Sequence, residues 1–183
     1  GSDVVDFLKG DTTNEFNRSG GTGLFRNRQD ADVKTQNNIL GALVNSPPVY
    51  VYEPSENYPD AIESIKGTPN LYSAFKPQET RSPAVYVGSN DGMMHAFKAS
   101  NSVDDPGGDE LFAYIPSYLD NKLSDLTKIN YISSIPYQSY VDGDITVRDV
   151  FINGAWATYL VGTTRTGGKG IYVLNVTDPD TMT

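Results

Sequence analysis

The sequence predicts an all-β fold built from short antiparallel hairpins. Apolar residues 84–88 and 93–97 stand on either side of a turn that ends in Asp91-Gly92, and an Asp-Gly pair supplies the positive φ of a tight hairpin. A second copy of this pattern lies further along the chain. Seventeen glycines and eleven prolines are spread over the 183 residues, which is typical of many short strands joined by turns.

The chain before this hairpin contains a short helix, an extended segment and an insertion. The helix is predicted over residues 4–8. The extended segment covers residues 46–52, and because proline cannot donate to a β-ladder, Pro47 and Pro48 place it at a strand's start or at a sheet edge. Residues 53–80 are rich in proline and predict a surface insertion, a kind of segment that often carries recognition.

Further strands and one longer helix follow the hairpin. Three leucines fall on one face of a helix predicted over residues 118–128, and Ser117 or Asp120 offers its N-cap. The leucines are Leu119, Leu123 and Leu126, and strands are predicted at residues 110–115, 139–141 and 146–152.

The second copy of the hairpin pattern consists of residues 156–162 and 171–176, joined by a Gly-rich turn. Aligning Gly88 with Gly162 separates the copies by 74 residues, whereas a four-stranded propeller blade usually takes about 40 to 50. Repeated hairpins at this long period predict a fragment of a β-propeller with long insertions.

We therefore predict two parts. Residues 1–45 form an entry segment, and residues 46–183 form an incomplete propeller of two to three blades with the insertion at 53–80. Two to three blades are too few to close a ring, since propellers need at least four. An ordinary β-sandwich is the alternative.

Composition excludes several classes of function. The formal charge of −9 disfavours nucleic-acid binding, which needs a basic surface. The absence of cysteine removes disulfides and thiolate chemistry, and one histidine cannot build a multi-histidine metal site. No apolar run of about 18 residues predicts a membrane span, and no signal-peptide pattern opens the sequence.

His95 is the single imidazole, and we interpret it as a residue filling a strand position. A general base or a metal ligand is the alternative. No G-x-S-x-G motif supports a serine hydrolase. We therefore assign no catalytic, cofactor-binding or metal residue.

Asp142, Asp144 and Asp149 form an acidic cluster that offers oxygen ligands to Ca²⁺. The favoured alternative is that Asp142 makes a turn with Gly143 and that Asp149 faces solvent or pairs with Arg148. A second acidic group is interpreted as a solvated loop tip; it consists of Asp104, Asp105, Asp109 and Glu110.

Residues 165–170 resemble a phosphate loop in composition, but they lack the P-loop pattern and precede a strand, so we interpret them as a turn between strands.

An aromatic set in and around the insertion suits either a binding surface or a buried sheet. Its members are Tyr50, Tyr52, Tyr58, Tyr72 and Phe75.

An ordered series of strings resembles the propeller of the PilC/PilY family of type IV pilus biogenesis factors and tip-associated adhesins. The strings are AVYVGSNDGMMHAF at residues 84–97, ELFAYIP at 110–116, YVDGD at 140–144, WATYLVG at 156–162 and GIYVLNVTDP at 170–179, preceded by LKGD at 8–11, FRNR at 25–28 and LVNSPPVY at 43–50. The resemblance covers most of the chain except the insertion.

The resemblance implies a modified, PQQ-enzyme-like β-propeller in an exported protein of a Gram-negative bacterium, at the cell surface, outer membrane or pilus tip. It implies a non-enzymatic role in pilus biogenesis and in host-cell or surface adhesion. The implied partners are minor pilins and a host-surface protein or glycan, and open sheet edges imply self-association.

The resemblance implies no cofactor in this segment. Family members bind Ca²⁺ in an Asp-rich loop, but this chain lacks the D-x-[DN]-x-[DN]-G pattern, so calcium is expected only in the longer protein.

The alternative function is a fragment of a quinone-dependent dehydrogenase, whose propeller blades also place Asp-Gly after a strand.

Overall fold

A computed structural model describes residues 2–28, 37–62, 67–76, 81–100 and 102–182 of the chain. The strands are β1 (Val49–Val51), β2 (Ala84–Gly88), β3 (Met94–Lys98), β4 (Glu110–Tyr114), β5 (Ile145–Ile152), β6 (Ala155–Thr163) and β7 (Ile171–Asn175). The α-helices are α1 (Ser2–Leu8), α2 (Tyr72–Phe75) and α3 (Asp120–Leu123), and 3-10 helices lie at Ser117–Leu119, Ser124–Thr127, Arg165–Gly167 and Pro179–Thr181.

The first sheet is an antiparallel meander in the order β1-β2-β3-β4. The predicted hairpin lies at its centre, where Gly88 pairs with Met94. Gly92 in the turn has a φ of 98°, a conformation that favours glycine. β1 begins directly after Pro47-Pro48 and lies at the edge of the sheet, as the missing proline N–H groups require.

The second sheet has the antiparallel order β5-β6-β7. The β6-β7 pair is the second hairpin predicted from the sequence, and the strand predicted at residues 146–152 is β5. Asn153 and Gly154 connect β5 to β6 with φ values of 53° and 82°. Two positive φ angles in a two-residue loop match the right-handed twist of the adjoining strands, so this Asn-Gly pair sets the β5-β6 register.

The strand predicted at residues 139–141 is wrong. Tyr140 and Val141 are fully buried, which explains the strand-like composition. The backbone N–H of Tyr140 donates to Asn90 Oδ1 at 2.8 Å, and that of Val141 donates to the Ser89 carbonyl at 3.3 Å. These partners lie in the β2-β3 turn, so the segment is bonded to a turn and makes no ladder.

The helix predicted over residues 118–128 is a succession of short helical stretches, with α3 between two 3-10 helices. The predicted caps are wrong, because Pro116 occupies the N-cap position and neither Ser117 nor Asp120 makes a side-chain cap bond. The predicted apolar face is confirmed, since all three leucines are buried.

One hydrophobic core joins the two sheets to α1 and to these helical stretches. β1 and β2 of the first sheet contact β5 of the second, so the sheets pack as neighbours. The buried core residues come from α1 and from the chain after residue 83, and they include Phe7, Tyr86, Met94, Leu119, Tyr140, Leu160, Tyr172 and Val176.

The longest helix of the described segments, α1, has seven residues. A helix needs about 20 to cross a bilayer. None of the helices in these segments is long and apolar enough to do so.

Candidate interaction surface

A groove of about 540 Å³ lies where β1 of the first sheet meets β5 of the second. Tyr50 on one wall is 62% exposed. On the other wall, the Arg148 guanidinium pairs with the Glu56 carboxylate at 3.4 Å. A concave surface that combines exposed tyrosine with charged groups is typical of sites that bind a ligand or partner.

Three buried polar side chains form the floor of this groove. Thr158 Oγ1 donates to Asp149 Oδ1 at 2.7 Å and accepts from Arg81 Nη1 at 2.8 Å. Arg81 Nε donates to the carbonyl of Tyr52, the residue that directly follows β1. Asp149 lies on β5 and Thr158 on β6, so Arg81 fastens the first sheet to the second.

Tyr72 in α2 lies outside the groove and supports the Asp149 carboxylate of its floor. Its hydroxyl donates to Asp149 Oδ2 at 2.5 Å and accepts from the Glu56 N–H at 2.9 Å. Burial raises the pKa of the Tyr72 phenol, and the hydrogen bond to Asp149 raises it further. Burial lowers the pKa of Arg81, and the charge of Asp149 opposes that change. These hydrogen bonds therefore hold the groove in shape.

Tyr72→Phe is expected to lower the free energy of unfolding by about 1–3 kcal/mol, because Asp149 loses a buried donor. Urea denaturation of the 183-residue chain measures the change. Tyr58→Phe is the matched control, since Tyr58 is 37% exposed and contributes a ring stacked on Trp156 at 5.2 Å. An equal loss in both variants would contradict the assigned role of the Tyr72 hydroxyl.

The described parts of the insertion pack on the second sheet through aromatic rings. Trp156 on β6 lies 4.7 Å from the Tyr72 ring and 6.4 Å from the Phe75 ring, between centroids. Its indole N–H donates to the Asn70 carbonyl at 2.9 Å. Residues 63–66 and 77–80 of the predicted insertion lie outside the described residues.

The aromatic set divides into exposed and buried members, and the buried ones lie in α2 and not in a sheet. Tyr50 and Tyr58 are exposed, whereas Tyr72 and Phe75 are buried. Tyr52 is intermediate. The insertion thus contributes the buried rings and exposed Tyr58, and β1 contributes exposed Tyr50.

The acidic residues 142, 144 and 149 do not form one cluster in space. Asp142 and Asp149 are buried, with separate hydrogen-bond partners, and Asp144 is exposed. The expectation that Asp149 faces solvent or pairs with Arg148 is wrong, because Tyr72 and Thr158 bind its carboxylate. Within the described ranges, no three Asp, Glu or His side chains are placed to hold a metal ion together.

Asp142 joins three segments of the chain. Its carboxylate accepts from Asn45 Nδ2 at 2.7 Å, Asn90 Nδ2 at 3.1 Å and Thr166 Oγ1 at 2.8 Å. The Asn45 backbone N–H donates to it as well, at 3.2 Å. Burial raises the pKa of Asp142, but these hydrogen bonds outweigh burial and the net pKa is lowered. The residue ties the turns of the two predicted hairpins together.

The turn at residues 165–170 connects β6 to β7, as predicted. Arg165–Gly167 forms a 3-10 helix, and the Gly167 carbonyl accepts from Lys122 Nζ at 2.9 Å. A Cβ at Gly167 would stand 1.7 Å from the Tyr140 carbonyl oxygen. The glycine therefore allows close packing of this turn on the chain at Tyr140.

His95 occupies β3, as the strand interpretation predicts, and is buried between two carboxylates. Its Nε2 lies 3.1 Å from Asp91 Oδ2, and its Nδ1 lies 2.5 Å from Glu110 Oε1. The interpretation of the second acidic group as a solvated tip thus fails for Glu110. Asp105 in the same group pairs with Lys98 at 2.6 Å.

Sequence reasoning missed two buried arginines. Arg28 pairs with Glu15 at 2.8 Å, with both side chains nearly inaccessible, and Arg81 lies under the groove. Arg28 falls in the string FRNR that carried part of the family resemblance, which was the one available signal. Isolated charges in polar segments normally indicate exposure, so no local pattern predicts that these two arginines are buried.

Known proteins similar to this chain are type IV pilus factors. PilY1 of Pseudomonas aeruginosa strain PAK, named a type IV pilus biogenesis factor, is 39% identical over 180 residues. A PilY1 homologue of Xylella fastidiosa is 37% identical over 181 residues. The matches cover 98% and 97% of this chain but 14% and 13% of those proteins, so the chain spans about one seventh of their length.

A family model agrees with these relatives, and part of the chain is similar to one solved structure. The crystal structure of the Pseudomonas aeruginosa PilY1 C-terminal domain aligns with a TM-score of 0.48 and 39% identity, over 71% of this chain and 23% of that one. The model of the PilY1 β-propeller domain matches residues 40–182. With its antiparallel sheets and few short helices, the chain belongs to the PilY1 β-propeller domain family.

Proposed function

We propose that this chain supplies a non-catalytic contact surface to a type IV pilus-associated protein that supports pilus biogenesis and adhesion. Membership of the PilY1 β-propeller family carries the proposal. The groove between β1 and β5 supports it, because exposed Tyr50 and a charged rim suit recognition of a partner. The family also favours this role over a quinone-dependent dehydrogenase.

The proposed partners are minor pilins and a host-surface protein or glycan. The corresponding location is the cell surface, outer membrane or pilus tip of a Gram-negative bacterium, reached by export. We propose no cofactor for this segment and keep Ca²⁺ as a proposal for the longer protein. Self-association through sheet edges remains a prediction; β4 and β7 are such edges, and Val173 on β7 is 51% exposed.

Deletion of the full-length gene in a piliated host tests the role itself. We expect surface pili, counted by electron microscopy, or adherence to host cells to be lost, and restored by the wild-type gene. Unchanged piliation and attachment would overturn the proposal. Dye reduction by the purified protein with pyrroloquinoline quinone, calcium and an alcohol would favour the dehydrogenase instead.

The double variant Tyr50→Ala/Glu53→Lys in the full-length protein tests the groove. Truncating an exposed tyrosine on the wall of the groove and reversing a rim charge should weaken binding about tenfold or more, and we expect adherence or piliation to fall accordingly. The matched control is Val103→Ala/Asp104→Lys, which makes the same types of change in an exposed loop outside the groove. Equal behaviour of both variants would place the contact surface elsewhere.

A further inference from the structure

His95 lies between two carboxylates, and each carboxylate needs a hydrogen-bond donor from the imidazole. Both hydrogen bonds form only if these three side chains hold one proton more than a neutral imidazole and two ionised carboxylates carry. Each imidazole nitrogen lies within hydrogen-bonding distance of a carboxylate, Asp91 on one side and Glu110 on the other. A neutral imidazole has one N–H donor and one lone pair, and ionised carboxylates only accept. A neutral His95 would therefore point a lone pair at one of the two carboxylates.

The two carboxylates are held with unequal strength. Asp91 also accepts from the Gly41 N–H at 2.7 Å and the Met93 N–H at 3.0 Å, and its side chain is 9% exposed. The Glu110 side chain is 46% exposed and begins β4, the edge strand of the first sheet. When His95 loses one proton, the Glu110 side chain can rotate into solvent, whereas the Asp91 side chain stays in place.

Other charged groups near His95 act in opposite directions. Lys9, which follows α1, and Asp109, which precedes β4, line the same cavity of about 610 Å³ as the histidine. A nearby lysine disfavours the imidazolium, and a nearby aspartate favours it. Burial lowers the pKa of His95, but the hydrogen bonds and charges of Asp91 and Glu110 outweigh burial, and the net pKa is raised.

We propose that Asp91, His95 and Glu110 form a proton-dependent latch, in which doubly protonated His95 holds Glu110 and the start of β4 against β3. Transfer of one imidazole proton to water leaves a lone pair facing Glu110 and releases that carboxylate to solvent. Glu110 lines the 610 Å³ cavity. Rotation of its side chain into solvent therefore opens the cavity wall at the start of β4. The latch goes beyond the proposed adhesive role and does not depend on it.

The sign of the pH dependence follows from the direction of the pKa change. The folded-state pKa of His95 lies above its unfolded value of about 6.5, so the latch stabilises the fold fully below that pH. This stabilisation is lost as the pH rises through the folded-state pKa. We therefore expect β4 to be well ordered in mildly acidic solution and looser in alkaline solution.

NMR titration of the 183-residue chain from pH 5 to 9 tests the latch. We expect both His95 nitrogens to be protonated at pH 6, a midpoint above 6.5, and a Glu110 carboxyl ¹³C signal that moves with the same midpoint. Amide hydrogen exchange in β4, corrected for the intrinsic rate, should accelerate across that midpoint. A neutral single tautomer at pH 6, or β4 exchange unchanged while His95 titrates, would overturn the proposal.

Two variants separate the latch from general electrostatics. Glu110→Gln should lower the His95 midpoint clearly, because the charge-assisted bond to Nδ1 is lost. Asp109→Asn removes the same charge from the adjacent residue and should lower it less. Equal shifts in the two variants would contradict the specific contact. If Glu110→Gln does not fold, the wild-type ¹³C and exchange measurements still decide the question.

Discussion

Asp142→Ala is expected to lower the free energy of unfolding by about 3 kcal/mol, because a buried carboxylate that accepts four hydrogen bonds is removed and its donors, buried Asn90 among them, lose their acceptor. The lost hydrogen bonds connect the two sheets, because Asn90 lies in the β2-β3 turn and Thr166 lies in the β6-β7 turn. Urea denaturation at pH 7 measures it. Asp144→Ala is the matched control, because exposed Asp144 should change stability by less than about 0.5 kcal/mol.

The same substitution should alter the acid sensitivity of the fold. The folded-state pKa of Asp142 is lowered from its usual 3.8, so its stabilising effect is complete above that pH and is lost as the pH falls through the folded-state pKa. The difference in stability between wild type and Asp142→Ala should therefore shrink in acid. A difference that stays constant down to pH 2 would contradict this assignment.

Glu15→Ala is expected to cost about 3–5 kcal/mol, because it leaves the buried Arg28 guanidinium without its counter-ion. Arg28 Nε lies 2.8 Å from Glu15 Oε1, and the guanidinium stands 3.6 Å from the centroid of the Phe7 ring. Arg28 also donates to the Phe7 and Asp11 carbonyls, so the pair holds α1 against the rest of the entry segment. Thermal and urea unfolding give the change directly.

A surface ion pair provides the control for Glu15→Ala. The Glu56–Arg148 pair spans 3.4 Å with the Arg148 side chain 65% exposed, so Glu56→Ala should cost less than about 1 kcal/mol. The double variant Glu15→Leu/Arg28→Met should recover much of the loss, because it leaves no unpaired buried charge. Similar costs for Glu15→Ala and Glu56→Ala would show that the buried pair adds nothing specific.

Local signals in the sequence were sufficient to predict most strands. The Asp-Gly turn predicts the β2-β3 hairpin because only a few residues adopt the required φ, and short apolar runs predict the strands on either side. The ordered series of strings predicts the propeller family, which the family model and relatives confirm. Leu119, Leu123 and Leu126 predict a buried helical face, although the helix is broken.

The strand predicted at residues 139–141 shows where local reasoning fails. A buried apolar segment has the same composition whether its N–H groups bond to a strand or to a turn. The caps Ser117 and Asp120 fail for a related reason, because the geometry after Pro116 decides which side chain can reach the backbone. Both errors concern which group forms a hydrogen bond with the backbone. That choice depends on residues distant in the chain or on competing neighbours, and the secondary-structure propensity of a segment does not identify it.

The sequence by itself determined the class of fold, the positions of most strands and the family. Only the tertiary structure decided which charges are buried and with what partners: Asp142 with Asn45, Asn90 and Thr166, Arg28 with Glu15, and His95 with Asp91 and Glu110. The physical reason is that strand formation depends on neighbours in the chain, whereas the pairing of a buried charge depends on residues brought together from up to 97 positions away.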